Sequence, residues 1–525
     1  MMERATMLAR ITGRDRPFDL LVIGGGATGV GVAIDAASRG YDVALVEQSD
    51  FGKGTSSRST KLIHGGVRYL QQGNIPLVME ALKERGRLRR NAPHLVRELP
   101  FVVPNYQWWE APFYGIGMRI YDGLAFRYGF GASRNLSRDE TLARIPTIER
   151  DGLRGGVVYH DGQFDDARLL IHMAMTAAEQ GAALANYARV TGITKGGDGV
   201  VCGAAVRDEE TGAEFEVPAR VVVNATGAFS DDVRLLDDAS AQPVILPSQG
   251  VHVVLDREFL PGDAAIMVPH TADGRVLFAI PWHDRVLIGT TDTPIESPSL
   301  EPVALETEID FILEHAVRYL TKDPTRADVR SVFAGIRPLV GATAAEDDTT
   351  AAISREHSIL ISRSGLLTIA GGKWTTYRKM AEDVVENAVM LADLEARASV
   401  TSRLNIHGFH EHAERFGPLS LYGADAPEVG ALCRAEPRLL EPLHPSLPYI
   451  AGEVVWAAKR EMARTVDDIL ARRTRALLLD ARAAIDAAPK VAELLAAALG
   501  REEGWARAQV ETFSEIAKAY VPQGR

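Results

Sequence analysis

The chain has 525 residues, too many for one core, so two or three domains are expected. Apolar residues at 46% and charged residues at 24% are the usage of a folded protein and exclude a disordered one. A formal net charge of −12 argues against a free-standing nucleic-acid binder. The two cysteines, Cys202 and Cys433, show no CxxC or Cys/His spacing, which argues against a disulfide framework or a metal site and fits a reducing cytoplasm.

Met1 to Pro17 carries four arginines and no apolar stretch, and does not read as a secretory signal. No apolar run reaches the roughly 18 residues that span a bilayer, so any membrane contact would be one-sided. Phe18 to Ile23 reads as a buried parallel strand, Val30 to Arg39 as a helix and Asp42 to Glu47 as a second strand. Between the first strand and the helix, Gly24, Gly26 and Gly29 form GxGxxG, with Ala27 and Thr28 inside it. Gly24 suits a tight turn, Gly26 a close approach to pyrophosphate, and Gly29 close helix–strand packing. The helix N-terminus offers free N–H groups to phosphates, and Glu47 stands where an acid holds ribose hydroxyls. This motif alone does not separate FAD from NAD, and its plain alternative is a turn that binds nothing.

From Phe51 to Gly66, the hydroxyls of Thr55, Ser56, Ser57, Ser59 and Thr60 lie among glycines. They suit a loop wrapped around a cofactor's phosphates, or simply a polar linker. Phe101 to Phe130 holds ten of the chain's 35 aromatics, with Arg119 and Arg127 among them. That composition suits a headgroup-level membrane contact, and equally a core with a subunit interface. Val221 to Asn224 reads as a strand running into Ala225-Thr226-Gly227. Further strands are expected over Val251 to Leu255, Val276 to Ile280 and Val286 to Ile288, the last leading to a polar turn, Thr290 to Thr293, to which no chemistry is assigned. Leu366 to Ala370, Gly371-Gly372 and a helix starting near Trp374 place a second Gly pair at a helix N-terminus. Beyond residue 391 the chain reads as helical, with Val455, Ala458, Met462, Val466, Ile469 and Leu470 forming one apolar face.

Spread over three segments, this pattern resembles the discontinuous, glutathione-reductase-like FAD-binding Rossmann fold of the D-amino-acid-oxidase superfamily. An NAD enzyme would not require the late Gly-pair segment. Five blocks carry a closer resemblance: Ser59 to Leu70 (STKLIHGGVRYL), Ile288 to Asp292, Ala334 to Leu339, Gly371 to Arg378 and Ala463 to Arg475. In that order they are similar to the FAD-dependent, respiratory glycerol-3-phosphate dehydrogenases. The fold implied is α/β, with an FAD domain over about 15–75, 155–235 and 340–390. A β-rich substrate domain is inserted over 76–154 and 236–339, and a helical domain follows over 391–525.

The resemblance implies FAD-dependent oxidation of sn-glycerol 3-phosphate to dihydroxyacetone phosphate, with electrons passed to a quinone. It implies a cytoplasmic enzyme, peripheral on the inner face of the plasma membrane, with a homodimer as a further expectation. Thr55, Ser56, Ser57, Thr60, Lys61, Leu62, Gly65, Gly66, Gly372, Lys373, Thr375 and Thr376 join the Gly-rich turn, Glu47 and Ala225 to Gly227 as cofactor contacts. Arg68, Tyr69, Arg337, Arg355 and Lys373 take the substrate side, where arginine forks suit a phosphate dianion.

Oxidation moves a hydride from the carbinol carbon to flavin N5 and a proton from the hydroxyl to a base. His252 is the first choice for the base, since histidine titrates near neutrality. His64 and Lys373 are alternatives, and His252 could instead only hydrogen-bond the substrate or pack. Oxygen as acceptor, an amine or 2-hydroxy acid as substrate, and a flavin-binding regulator without turnover are the rival functions.

Overall fold

A computed structural model describes residues 2–14, 16–67, 70, 73–269, 276–341 and 357–522. Strand Phe18–Ile23 is apolar at almost every position, which only a strand covered on both faces can accommodate. It lies in register between Val43–Val46 and the second half of Glu214–Asn224, all parallel, with Leu20 opposite both Val43 and Val221. Ala183–Ala185 and Leu367–Gly371 extend this parallel sheet on either side, and His357–Ile361 closes one edge antiparallel. Helix Ala27–Ser38 covers one face, packed between Asp166–Glu179 and Tyr377–Leu391. Gly31 permits that contact, because a Cβ there would come within 2.9 Å of the Tyr377 ring.

A second, ten-stranded sheet is mostly antiparallel and carries the other half of the molecule. Its centre is the long strand Ile245–Asp256, paired along its length with Ser331–Val340 and, at its two ends, with Arg285–Gly289 and Thr293–Pro294. Two strands differ from the sequence expectation. Gly155–Phe164 and Leu62–Ile63, expected with the cofactor domain, belong to the second sheet, where they pair with each other and Gly155–Phe164 also pairs with Val96–Asn105. An apolar run marks a buried strand without saying which sheet buries it. The loop before Leu62 therefore bridges the two sheets.

The C-terminal part is helical, but the expected single apolar face is broken. Helix Ala451–Arg460 ends before Met462, whose φ is +54°, and a separate π-helical segment, Asp468–Arg473, follows. Val466, just before this second piece, and Ile469 and Leu470 within it are buried. The break turns Arg472 and Arg473 inward onto Asp50, which no local pattern reveals. None of the described helices is long and apolar enough to cross a membrane.

Candidate active site

The parallel strands end on a cleft of about 810 Å³ lined by Gly24, Gly26, Glu47, Thr55, Ser56 and Thr226, among others. This is the crevice outside the carboxyl ends of the strands, where open α/β sheets take their ligands. The glycines are needed. Gly24 has a φ of +112°, and a Cβ on Gly29 would sit 2.0 Å from the Gly24 carbonyl oxygen. Gly26 caps the helix without a side-chain hydrogen bond, so its first turn points N–H groups into the cleft.

Glu47 accepts hydrogen bonds from Gly25 N (2.7 Å) and Ser49 N (2.8 Å), pinning the turn to the second strand end. Burial raises its carboxyl pKa and these two bonds oppose the rise. The Ser56 hydroxyl receives Ala27 N (2.9 Å), and the Ser56 carbonyl receives the Trp374 indole N–H (2.8 Å). Thr55 donates to the Ile336 carbonyl (2.5 Å), tying the loop to the second sheet.

A smaller pocket of about 320 Å³ adjoins this cleft, and Thr55, Pro338, Gly371, Gly372, Lys373 and Trp374 line both. Its floor is apolar, from Phe101, Tyr159, Met267 and Phe278, and its polar wall holds Arg58, His64, His252, Thr290, Asp292 and Arg337. Strand register builds that wall. His252 stands opposite Phe333 on one neighbour and Gly289 on the other. The imidazole stacks on the Phe333 ring at 4.9 Å and lies where a Cβ of residue 289 would be, 2.3 Å from its Cδ2.

His252 Nε2 is 2.9 Å from the Thr60 hydroxyl, and its buried Nδ1 has no hydrogen-bond partner among the described residues. Burial, then the charges of Arg337 and Lys61, hold its pKa well below the ordinary value, so the ring is neutral. Arg337 lies across Gly250, where a Cβ would be 2.4 Å from its Nη2. Its guanidinium donates to the Thr290 hydroxyl (3.1 Å) and the Thr291 carbonyl (3.0 Å) and pairs with Asp292 at 3.3 Å. Glu308, buried beneath, receives the Thr291 and Thr293 hydroxyls and the Gln249 amide.

The structure brings His64, Leu62, Gly66, Lys373, His252 and Arg337 to one pocket, and Gly24, Gly26, Ala27, Thr28, Glu47, Thr55, Ser56, Ala225, Thr226, Gly227 and Gly372 to the adjoining cleft. Other expected cofactor contacts have side chains committed elsewhere. The Lys61 ammonium is fully buried on Asp166 (2.8 Å) and the Ser57 carbonyl (2.7 Å). The Thr60 hydroxyl meets His252, the Thr376 hydroxyl donates to the Lys373 carbonyl, and that of Thr375 reaches the His64 carbonyl. Ser57 is buried, and Gly65 donates its N–H to the Tyr121 hydroxyl (2.7 Å). Arg68, Tyr69 and Arg355 lie outside the described residues.

The polar turn from Thr290 to Thr293, read from the sequence as having no role, is what holds Arg337. A GTTD turn after a strand is too common a pattern to have shown this. Asp161, also missed, lines the pocket while paired to Arg85 (2.6 Å) and receiving the Tyr121 hydroxyl (2.8 Å).

A glycine cradle at parallel strand ends, joined through a Gly pair to a basic pocket on a second sheet, defines an FAD-dependent oxidoreductase. Residues 19–378 match the family described as FAD dependent oxidoreductase, and residues 362–509 the C-terminal domain of alpha-glycerophosphate oxidase. The chain is 42% identical to the mitochondrial glycerol-3-phosphate dehydrogenase of Rattus norvegicus, over 96% of this chain and 73% of the relative. It is 40% identical to the mitochondrial glycerol-3-phosphate dehydrogenase SDP6 of Arabidopsis thaliana, over 96% and 86%. The solved glycerol-3-phosphate dehydrogenase of Bacillus halodurans, complexed with FAD, superposes with a TM-score of 0.80 at 28% identity, covering 99% of this chain and 98% of that one. The chain belongs to the FAD-dependent glycerol-3-phosphate dehydrogenase family.

Proposed function

We propose that the protein oxidises sn-glycerol 3-phosphate to dihydroxyacetone phosphate and passes the electrons to a membrane quinone. The observation that carries the substrate is the adjoining pocket. A directed guanidinium, Arg337, and Lys373 line one small chamber with two histidines beside the cofactor cleft, and Arg58 lines it while paired with Glu301 (2.6 Å). A phosphate dianion needs such a set, because removing it from water is costly unless several donors meet it. FAD, when bound, supplies the two-electron acceptor that takes the hydride from the carbinol carbon.

The chain's own groups do the rest. Arg337, held by Thr290, Thr291 and Asp292, orients the phosphate. The apolar floor keeps water from the carbinol. His252 takes the hydroxyl proton at Nε2 in the tautomer that carries its hydrogen on Nδ1, with the substrate hydroxyl taking the place of the Thr60 hydroxyl now 2.9 Å from Nε2. The incoming dianion offsets the pull of Arg337 on the ring and raises its basicity once the pocket is filled. Relatives named dehydrogenases match over nearly the whole chain, which favours this reading over an oxidase.

The membrane reading rests on helix Glu110–Ala125. Of the aromatics in the 101–130 stretch, Phe101, Tyr114 and Tyr121 are core. Trp109, Phe113, Ile116 and Ile120 recur on one exposed face, flanked by Trp108 (76% exposed) and Phe126 (86% exposed). The helix's inner face supplies Tyr121, which hydrogen-bonds Asp161 in the pocket wall, so one side-chain layer separates the exposed face from the site. This supports a peripheral enzyme on a membrane surface, with quinone arriving beside the cofactor. A second copy of the chain is the other candidate cover for this face, and vesicle flotation alongside sedimentation of the detergent-free protein separates the two.

The decisive experiment is anaerobic addition of sn-glycerol 3-phosphate to the yellow holoprotein. The flavin absorbance should bleach, and a soluble quinone should restore it far faster than oxygen. A spectrum unchanged by sn-glycerol 3-phosphate would refute the substrate assignment, and rapid peroxide formation would refute the acceptor.

A further inference from the structure

Outside the active site, a surface pocket of about 560 Å³ gathers five arginines from three separate segments. Arg87, Arg89 and Arg90 come from the last turns of helix Ile75–Asn91, Arg127 from the turn after the exposed aromatic helix, and Arg403 from the C-terminal part. Cations suit a helix C-terminus, and that accounts for Arg89 and Arg90 without any ligand. It does not account for Arg127 and Arg403 converging on the same space.

Only Arg87 is firmly neutralised, by Glu84, and Arg89 stands 3.6 Å from Glu98. Arg90 donates to the Ser402 carbonyl, and Arg127 donates to the Tyr128 hydroxyl (3.0 Å) and lies over its ring. No carboxylate pairs with Arg90, Arg127 or Arg403 among the described residues. Among the described residues, the one acid in the lining is Glu411. The pocket is also pre-formed, because Phe130 is clasped between Arg85 (4.3 Å) and Arg89 (4.6 Å). In a chain of net charge −12, this is a concentrated patch of the opposite sign.

Its position gives the ligand. Arg127 follows directly on Phe126, the most exposed apolar side chain of the face that meets the membrane in the reading above. We propose that this arginine pocket binds the phosphate of an anionic phospholipid headgroup in the bilayer on which the exposed helix face rests. The proposal depends on that membrane reading and adds to it: the apolar face supplies depth, and the pocket supplies lipid selectivity and fixes the rotation of the protein on the surface. Guanidinium forks suit a phosphodiester, and each basic side chain at an anionic surface adds a comparable increment of binding.

The test is co-flotation of the holoprotein with vesicles of phosphatidylcholine alone, or with 30% phosphatidylglycerol. A parallel arm uses inorganic phosphate in solution, followed by calorimetry. The wild type should bind the anionic vesicles much the more strongly. The triple variant R89Q/R127Q/R403Q should lose roughly 100-fold in that binding, keep its weak association with neutral vesicles, and oxidise substrate with a soluble acceptor at the wild-type rate. R89K/R127K/R403K, which keeps the charge and loses the forks, should recover only part.

A triple glutamine variant that still prefers anionic vesicles overturns the pocket. So does millimolar inorganic phosphate that binds the wild type but not the variant and abolishes the preference, since the site would then serve a soluble anion. Absence of binding to either vesicle, with arginines intact, removes the membrane reading itself. W109A/F113A should lose neutral-vesicle binding and retain the anionic preference, and unchanged neutral-vesicle binding in that variant overturns the helix face rather than the pocket.

Discussion

His252 is neutral because burial and two nearby cations disfavour its charged form. In the substrate-free enzyme the base-competent state therefore exists above a pKa well under the ordinary value, and this ring adds no acidic limb to kcat/KM as pH falls from about 8 to about 6, whereas the bound dianion moves any such limb in kcat to higher pH. H252N should lower kcat by ~10²–10⁴-fold, the range for losing a general base, with flavin content and KM close to wild type. A kcat within a fewfold of wild type would move the proton to His64 or Lys373, which line the same pocket. The family resemblance, rather than any local pattern, pointed to His252 and Arg337, and the structure brings both to this wall. What holds Arg337 was not legible in the sequence. Thr290, Thr291 and Asp292 lie some 45 positions away in the chain, and only the pairing of Ile245–Asp256 with strands on both sides unites them. The side-chain partners of Lys61 and Thr375 were unreadable for a related reason: Asp166, the His64 carbonyl and, for Lys61, the Ser57 carbonyl come from other parts of the loop or chain.

At the scale of elements, the strand–turn–helix unit was readable because its demands are local. The Gly29 requirement is a contact with a residue five positions earlier. G29A should push the helix off the strand and yield protein with little bound flavin, measured as the ratio of visible to ultraviolet absorbance. Full flavin content would contradict that packing argument. Contacts between remote elements were not readable, and one of them carries a pH dependence. His407 lies between Glu179, on helix Asp166–Glu179, and Asp425, and stacks edge-on against His172 (5.5 Å), itself bonded to His94 (3.0 Å). Burial alone would lower its pKa, but the hydrogen bonds of the two carboxylates raise it to about 9. A pKa raised on folding stabilises fully below the unfolded value near 6.5 and fades as pH rises through about 9. The thermal midpoint should therefore fall between pH 7 and pH 10 by more in the wild type than in H407Q. Parallel curves would show that the imidazolium contributes nothing.

Across the whole molecule, five separated blocks indicated the order of the parts but not what joins them. The join is a buried ionic network. Asp50, at the start of the cofactor loop, receives Arg472 and Arg473 from more than 400 positions away. Asp467 pairs with both Arg472 and Lys53, Arg168 pairs with Glu461, and Arg475 with Asp165. Burial would push Asp50 toward its neutral form, yet the two arginines hold its pKa below the usual carboxylate range, so the charges are kept and matched. Such a network need not stabilise relative to an apolar one, but removing one member leaves a buried charge unmatched, at a cost of about 3–5 kcal/mol. D50N should lower unfolding stability by that order, read from the urea midpoint of the holoprotein. It should also weaken FAD retention, because Thr55 and Ser56 line the cofactor cleft only a few residues beyond. Adding R473M should recover part of the stability by removing one orphaned charge. It should not restore FAD retention, since the loop would still lack its anchor to the C-terminal part. If D50N matched the wild type in both measurements, the helical domain would be a neighbour of the cofactor site rather than its support.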